Sequence, residues 1–327
     1  MFILDMLKLL PGDVVLTSEM SLQSKMVRKV TSSSFSHALL YIGASVYIHS
    51  DSSGVHSGNL QRLLFAKQSQ AQVFRLRDRQ EAKMAGICLF ARTEIGKQYS
   101  VPEAIRSKMK RNSSSEANSN RQFCSRLVAQ AYAEAGVNIV TNPDYCYPQD
   151  IANSPFMMKV RDCEQTLSDE EIEMVKSPSA TDTQTKVINN LLTSIRILTN
   201  TDIQTLDQLT RYLYQNPECD HAISRILQSS GYLSLWKIDI KDCPWNYDSV
   251  KFLAKDGSRS SKLEYAGLLK EGAMNSLEIF IFMHSQHTQL WQEKQLHYFV
   301  LTRALYKKLI ELATIRIATA EYILSHA

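Results

Sequence analysis

The sequence has no apolar run near the ~18–20 residues that a membrane-spanning helix needs. Its longest candidates, Leu277 to Met283 and Ile315 to Ile323, are too short or are broken by polar side chains. Proline and glycine are sparse, 8 and 11 in 327 residues, and the glycines follow no period, which excludes a collagen-like fibre. Cysteine is scattered as Cys88, Cys124, Cys146, Cys163, Cys219 and Cys243, with no C-x-x-C pair. That spacing predicts free thiols in a reducing compartment and speaks against a disulfide scaffold or a structural zinc site. No basic stripe with interleaved aromatics occurs, so nucleic acid is not an expected partner. The opening MFILDMLKLL lacks a basic start and a small-residue cleavage site, so no secretory signal is expected. The cytoplasm is the expected compartment, with export by a route that needs no cleavable signal left open.

What is present suits a folded chain of two domains. Apolar residues make up 44% and charged residues 21%, enough to bury a core in each half. The charge is uneven: residues 1–165 hold 20 basic and 14 acidic side chains, net +6, and the rest hold 17 and 19, net −2. The first part mixes strands and helices. Val14 to Leu16 reads as a short buried strand. Ser36 to Ile42 and Val46 to Ser50 are β-favouring runs around Gly43-Ala44-Ser45, a hairpin signal. Ala71 to Leu76 alternates like a strand, and Gln80 to Ile95 and Phe123 to Ala135 have helical spacing, closed by Gly96 and Gly136. Arg106 to Arg121 has no apolar period and reads as a loop. From Thr166 onward nearly everything reads as helix: a capping box at Ser168 and Glu171, a linker over Ser177 to Thr185, an apolar stripe from Ile188 to Leu198, and long helices over Leu263 to Ser285 and Trp291 to Ser325. The expected domains are 1–165 and 166–327.

Chemistry concentrates in the first domain. Cys124 opens a predicted helix, where free N–H groups and the dipole lower a thiol pKa and can hold an oxyanion. An isolated cysteine on an apolar helix is ordinarily a small buried hydrophobe; what raises interest is a pair of histidines. If residue 42 pairs with 46, His49 lies opposite Leu39, one diagonal step from His37 on the same face. One imidazole can then act as base and the other as its orienter. In the second domain His284 and His287 are three apart, but only Glu293 offers a carboxylate nearby. These, with His297, read as core or surface histidines, and Trp236, Trp245 and Trp291 as helical core.

The series Pro11-Gly12-Asp13-Val14-Val15, Ser36-His37-Ala38, Val46-Tyr47-Ile48-His49, Gly96-Lys97-Gln98-Tyr99 and Phe123-Cys124-Ser125 resembles the circularly permuted papain-like hydrolases of the YaeF/YiiX group. These are relatives of NlpC-type cell-wall peptidases and of lecithin:retinol acyltransferase. Pro148 to Ile151 and Ser154 to Phe156 look like that family's closing segment. The resemblance covers residues 8–162. It implies an α+β fold, an antiparallel sheet packed on helices, followed here by an all-helical domain. It further implies Cys124 as nucleophile, His37 as base, His49 as orienter and Tyr99 lining the site, with no metal and no organic cofactor. Many relatives carry Glu at the orienting position, where this chain has His49; His56 is the fallback orienter.

Two substrate classes follow from the resemblance, acyl esters of lipids and peptide-type amides. Lys25, Arg28 and Lys29 precede His37, and Lys108, Lys110, Arg111, Arg121 and Arg126 surround Cys124, with Glu116 as the nearby acid. A cationic rim of this kind suits an anionic membrane surface, each basic side chain adding ~1 kcal/mol. Met20, Leu22, Met26 and Val30 would set a small apolar stripe among the charges. The favoured expectation is therefore a cysteine phospholipase or acyltransferase, with export as an antibacterial effector and an inhibitor, immunity or delivery partner left open. A cell-wall peptide amidase of the NlpC type is the alternative, and an inactive papain-like binding module the second.

Overall fold

The computed structural model describes residues 1–18, 33–100, 103–104, 120–167, 172 and 180–326. Outside them lie Lys25, Arg28, Lys29, Lys108, Lys110, Arg111, Glu116, the stripe from Met20 to Val30 and the Ser168–Glu171 capping box. Two compact units form, 1–185 with 204–206, and 186–203 with 207–327.

The first unit is built on a six-stranded antiparallel sheet. Its strands are β2 (Val14–Thr17), β3 (His37–Tyr41), β4 (Val46–Asp51), β5 (Gly54–Asn59), β6 (Ala71–Leu76) and β7 (Met157–Val160), in the order β5-β4-β3-β2-β6-β7. A two-stranded sheet pairs β1 (Phe2–Leu4) with β8 (Glu164–Thr166). The central strand β2, Val-Val-Leu-Thr, is buried throughout, which is why it reads as an unbroken apolar run. Side chains alternate between two layers. Val14, Leu16, Ala38, Leu40 and Ile48 pack on helices α1 (Glu81–Thr93) and α2 (Cys124–Glu134) through Ile87, Leu127 and Val128. Val15, Leu39, Tyr41, Tyr47 and Val73 pack under Leu4, Leu9, Leu60 and Phe65.

The Pro11-Gly12-Asp13 turn ties these layers together. Gly12 has φ +93°, and a Cβ there would meet the Met84 sulfur at 2.6 Å. Asp13 is buried and accepts two hydrogen bonds from Arg75 of β6 at 2.8 and 2.7 Å and one from the Leu10 amide at 2.8 Å. The Tyr132 hydroxyl on α2 donates to the Gly12 carbonyl at 2.5 Å, so the turn that starts β2 also seats α2 on the sheet. A short helix α3 (Pro148–Ala152) follows, and its Gln149 side chain accepts from the Ser34 amide at 2.9 Å, just ahead of β3.

The second unit is helical: α4 (Ala180–Thr199, mostly in this unit), α5 (Leu206–Gln215), α6 (Asp220–Ser229), α7 (Trp236–Asp242), α8 (Ser249–Leu253), α9 (Arg259–Lys294) and α10 (His297–His326). The expected linker over Ser177 to Thr185 is corrected from residue 180 onward, where the chain is already helix. The stripe of that helix buries Ile188, Leu191, Leu192 and Ile195 but leaves Leu198 exposed. The expected break after Ser285 is also corrected: α9 runs on to Lys294 and stops at Gln295, which has φ +53°. Polar and apolar residues are mixed around α9, so no sequence signal marks its end. Ala266 packs with Ile323, Lys270 pairs with Glu321 at 2.9 Å, and His287 bonds Thr302 at 2.7 Å, so α9 and α10 run antiparallel. His287 is therefore a core residue held by a neighbouring helix, and the His297 amide donates to Asp220 at 2.7 Å. Among the described residues no helix is long and apolar enough to cross a membrane.

Candidate active site

The β3–β4 hairpin sets the histidines. Gly43, Ala44 and Ser45 all have positive φ, and the Ile42 amide donates to the Val46 carbonyl at 2.9 Å, closing a three-residue loop. Leu39 then faces His49 across the strands. His37 Nε2 and His49 Nδ1 lie 2.7 Å apart, their rings edge to face with centroids 5.0 Å apart. One ring nitrogen of His37, Nδ1, is left free of this bond.

The row continues across the sheet. His49 is opposite His56 on β5, with ring centroids 4.3 Å apart, and His56 Nε2 lies 3.1 Å from Asp51 Oδ1. Tyr47, two residues before His49 on the same face, stands edge-on to it at 5.1 Å. The Tyr47 ring lies over Gly58, where a Cβ would meet the phenol carbon at 2.3 Å. His49 is only 9% exposed, and its Nε2 has no hydrogen-bond partner. His56 thus stands behind His49 and is bonded to a carboxylate, rather than replacing His49 beside His37.

Cys124 is the first residue of α2, after Phe123 in extended backbone, and is 6% exposed. The Ala38 amide, next in the chain to His37, and the amides of Ser125 and Cys124 itself are directed at Sγ. This places the thiol beside the start of β3. No hydrogen bond joins Sγ to His37; the ring of His37 is tied to His49 instead. Burial pushes the Cys124 thiol up to about 11, the amide groups opposing it without offsetting it. Burial also pulls His37 down to about 4, with Asp51 acting against the shift and His56 with it. The resting pair is a neutral thiol and a neutral imidazole. His49 is held well below the ordinary imidazole value by burial, then by His37 and His56. For His56, burial is outweighed by the hydrogen bond and charge of Asp51, which raise its imidazole above the ordinary value. Burial likewise works against ionised Asp51, but the hydrogen bond to His56 holds its carboxyl below the usual range.

Tyr99 bridges to Gln122, two residues before Cys124, and its phenol is pushed up by burial first and then by Cys124 and Asp51. Its backbone is fixed by Gln98, whose amide donates to Gln204 at 2.9 Å, and the Ser100 amide donates to the Gln122 carbonyl at 2.9 Å. Arg121 is half-buried and donates to Gln98 Oε1 at 3.1 Å.

Arg126 is a correction. It is fully buried, donating to Glu103 at 2.8 Å and to the Asp144 carbonyl at 2.8 Å, with Phe123 and Tyr145 rings 4.5 and 5.1 Å from its guanidinium. It sits two residues past Cys124, where a helix turns its side chain inward, and it contributes nothing to a cationic rim. Asp51 is the residue that sequence reasoning missed. The signal was there: Asp51 is two residues after His49, and alternation along β4 puts both on one face. A cavity of about 430 Å³ beside α3 is lined by Ile139, Asn142, Cys146, Asp150 and Phe156, and Cys124 does not border it.

Residues 8–185 match the model of the permuted papain-like amidase enzyme family, YaeF/YiiX, C92. The chain belongs to this family. The amidase family thus supplies the fold class and the general activity, a papain-like hydrolase, and its match spans the sheet, α2 and the histidine row. Among solved structures, the metalloprotein yiiX from Escherichia coli O157:H7 is 17% identical, covering 46% of this chain and 95% of its own, at a TM-score of 0.31. No curated protein matches the chain.

Proposed function

We propose that the chain is a thiol-dependent amidase that works through a thioester on Cys124. The observation that carries the reading is the 2.7 Å bond between His37 Nε2 and His49 Nδ1, which leaves His37 Nδ1 for a thiol seated on the amide of the next residue. In the reactive tautomer His37 holds its hydrogen on Nε2 and donates it to His49. As Sγ attacks the carbonyl carbon, its proton passes to Nδ1, and the oxyanion meets the free N–H groups at the start of α2. Collapse breaks the carbon–nitrogen bond, and Nδ1 returns the proton to the leaving amine. Water then attacks the thioester with His37 as base, releasing a carboxylic acid and restoring the thiol. His49 orients the base and stays neutral. The charge that develops on His37 is balanced further back by Asp51, through the row of rings.

Arg126 is internal and takes no part in a cationic rim. The family to which the chain belongs is one of amidases, so a peptide-type amide is the substrate class we favour. Wild type and Cys124→Ala are each incubated with cell-wall peptides and, separately, with anionic phospholipid vesicles, and products are read by mass spectrometry. The proposal expects amide cleavage by wild type alone. Fatty acid and lysolipid from wild type alone would move the same site to ester substrates, and equal products from both proteins would remove Cys124 from the chemistry.

A further inference from the structure

The histidine row that supports the base also brings three metal-ligating side chains together. His49, Asp51 and His56 each offer a ligand atom, all within 4.8 Å of one another. His49 Nε2 is buried and has no partner, although its own Nδ1 is engaged by His37. His56 Nε2 and Asp51 Oδ1 are 3.1 Å apart, close to the ~3.3 Å edge of a tetrahedron around a cation bound at 2.0–2.1 Å. Two imidazoles and one carboxylate make a donor set for Zn²⁺ or a similar divalent ion, with a fourth position left to water. Asp182 adds negative potential at His56.

We propose that His49 Nε2, His56 Nε2 and Asp51 bind a divalent cation of the Zn²⁺ class, and that this ion switches off the base His37 by fixing its tautomer. The binding half of the statement stands alone; the switching half rests on the amidase reading above. A metal on His49 Nε2 takes that lone pair, so the remaining hydrogen of His49 must sit on Nδ1. Nδ1 then donates across the 2.7 Å bond, and His37 Nε2 becomes the acceptor. Neutral His37 is left with its hydrogen on Nδ1, the atom that must be empty to receive the thiol proton. The protons balance. His49 Nε2 gives one to solvent, one crosses from His37 to His49, and His37 Nδ1 gains one, while a protonated His56 releases its extra proton as it ligates. The cation would therefore inhibit without touching Cys124.

The test uses the full chain freed of metal. Zn²⁺ binding is measured by calorimetry for wild type, Cys124→Ala, His56→Asn and Asp51→Asn, with circular dichroism confirming that each is folded. One equivalent should bind to wild type and Cys124→Ala alike, with affinity at least about tenfold weaker in His56→Asn and Asp51→Asn. Imidazole nitrogen shifts of labelled histidine should show the hydrogen of His37 moving to Nδ1 when Zn²⁺ is added. Absence of one-equivalent binding, or binding lost in Cys124→Ala but kept in both His56→Asn and Asp51→Asn, would overturn the site. Binding with no change at His37 would overturn the switch. If the ion binds and moves the tautomer but no amide is ever cleaved, the site stands and the amidase reading falls.

Discussion

Cys124 and His37 start as a neutral thiol and a neutral imidazole, not as a thiolate–imidazolium pair. Burial holds the thiol near 11 and the imidazole near 4, so the proton rests on sulfur. The ultraviolet thiolate absorbance that Cys124→Ala removes should grow in only near pH 11. The reactive form then exists between the two values, with kcat/KM falling below pH of about 4 as His37 protonates. A thiolate signal already present at pH 7 would show that the resting pair is ionic. His49→Ala should cut kcat by roughly 10²-fold or more with little change in KM, because the base loses its orienter and not the substrate. At this scale the sequence was legible where local geometry decides: Gly43-Ala44-Ser45 fixes which residue faces His49, and the 2.7 Å bond follows. It was less legible for Asp51, whose partner His56 comes from a strand with one aliphatic side chain, Val55.

Strand β5 shows why some elements escape a reading by pattern. Gly-Val-His-Ser-Gly-Asn carries two glycines and three polar side chains and has no alternation of its own; it is a strand because β4 offers it a full register from Val46 to Asp51. Its Gly58 is required by a neighbour. Gly58→Ala should destabilise the protein by about 1–3 kcal/mol in denaturant unfolding, since the Tyr47 ring must leave a site 2.3 Å from the new Cβ. His49 stands edge-on to that ring, so activity should fall as well. Helix α2 was legible in its apolar face and its closing Gly136. The inward turn of Arg126 was not, because charge suggests exposure until a buried partner, Glu103, is known. Arg126→Ala should cost about 3–5 kcal/mol by removing the buried cation that pairs with Glu103, where a rim residue would cost almost nothing.

On the scale of the whole molecule, the two units can be followed separately, because all three tryptophans, Trp236, Trp245 and Trp291, lie in the helical one. That unit carries His287, buried and bonded to Thr302, with its imidazole lowered to about 4 by burial first and His284 second. The unfolded chain takes up a proton at His287 near pH 6.5 and the folded chain only near 4, so stability is full above 6.5 and is lost as pH falls toward 4. The loss should approach roughly 3 kcal/mol at pH 4, read by tryptophan fluorescence in urea, and His287→Gln should flatten it. The helical character from Ile188 onward was readable from spacing, whereas the helical start at Ala180 and the extent of α9 were not, since neither stretch has an apolar period to mark its bounds.

Acyl transfer through Cys124 is tested by catching the thioester. Wild type is mixed with the amide that the product assay identifies, quenched in acid within a turnover, and mapped by mass spectrometry. The expected result is a mass gain equal to the acyl fragment on the peptide holding Cys124, and no such gain in Cys124→Ala or, within the same time, in His37→Ala. Turnover with no adduct on that peptide, and undiminished in Cys124→Ala, would contradict it.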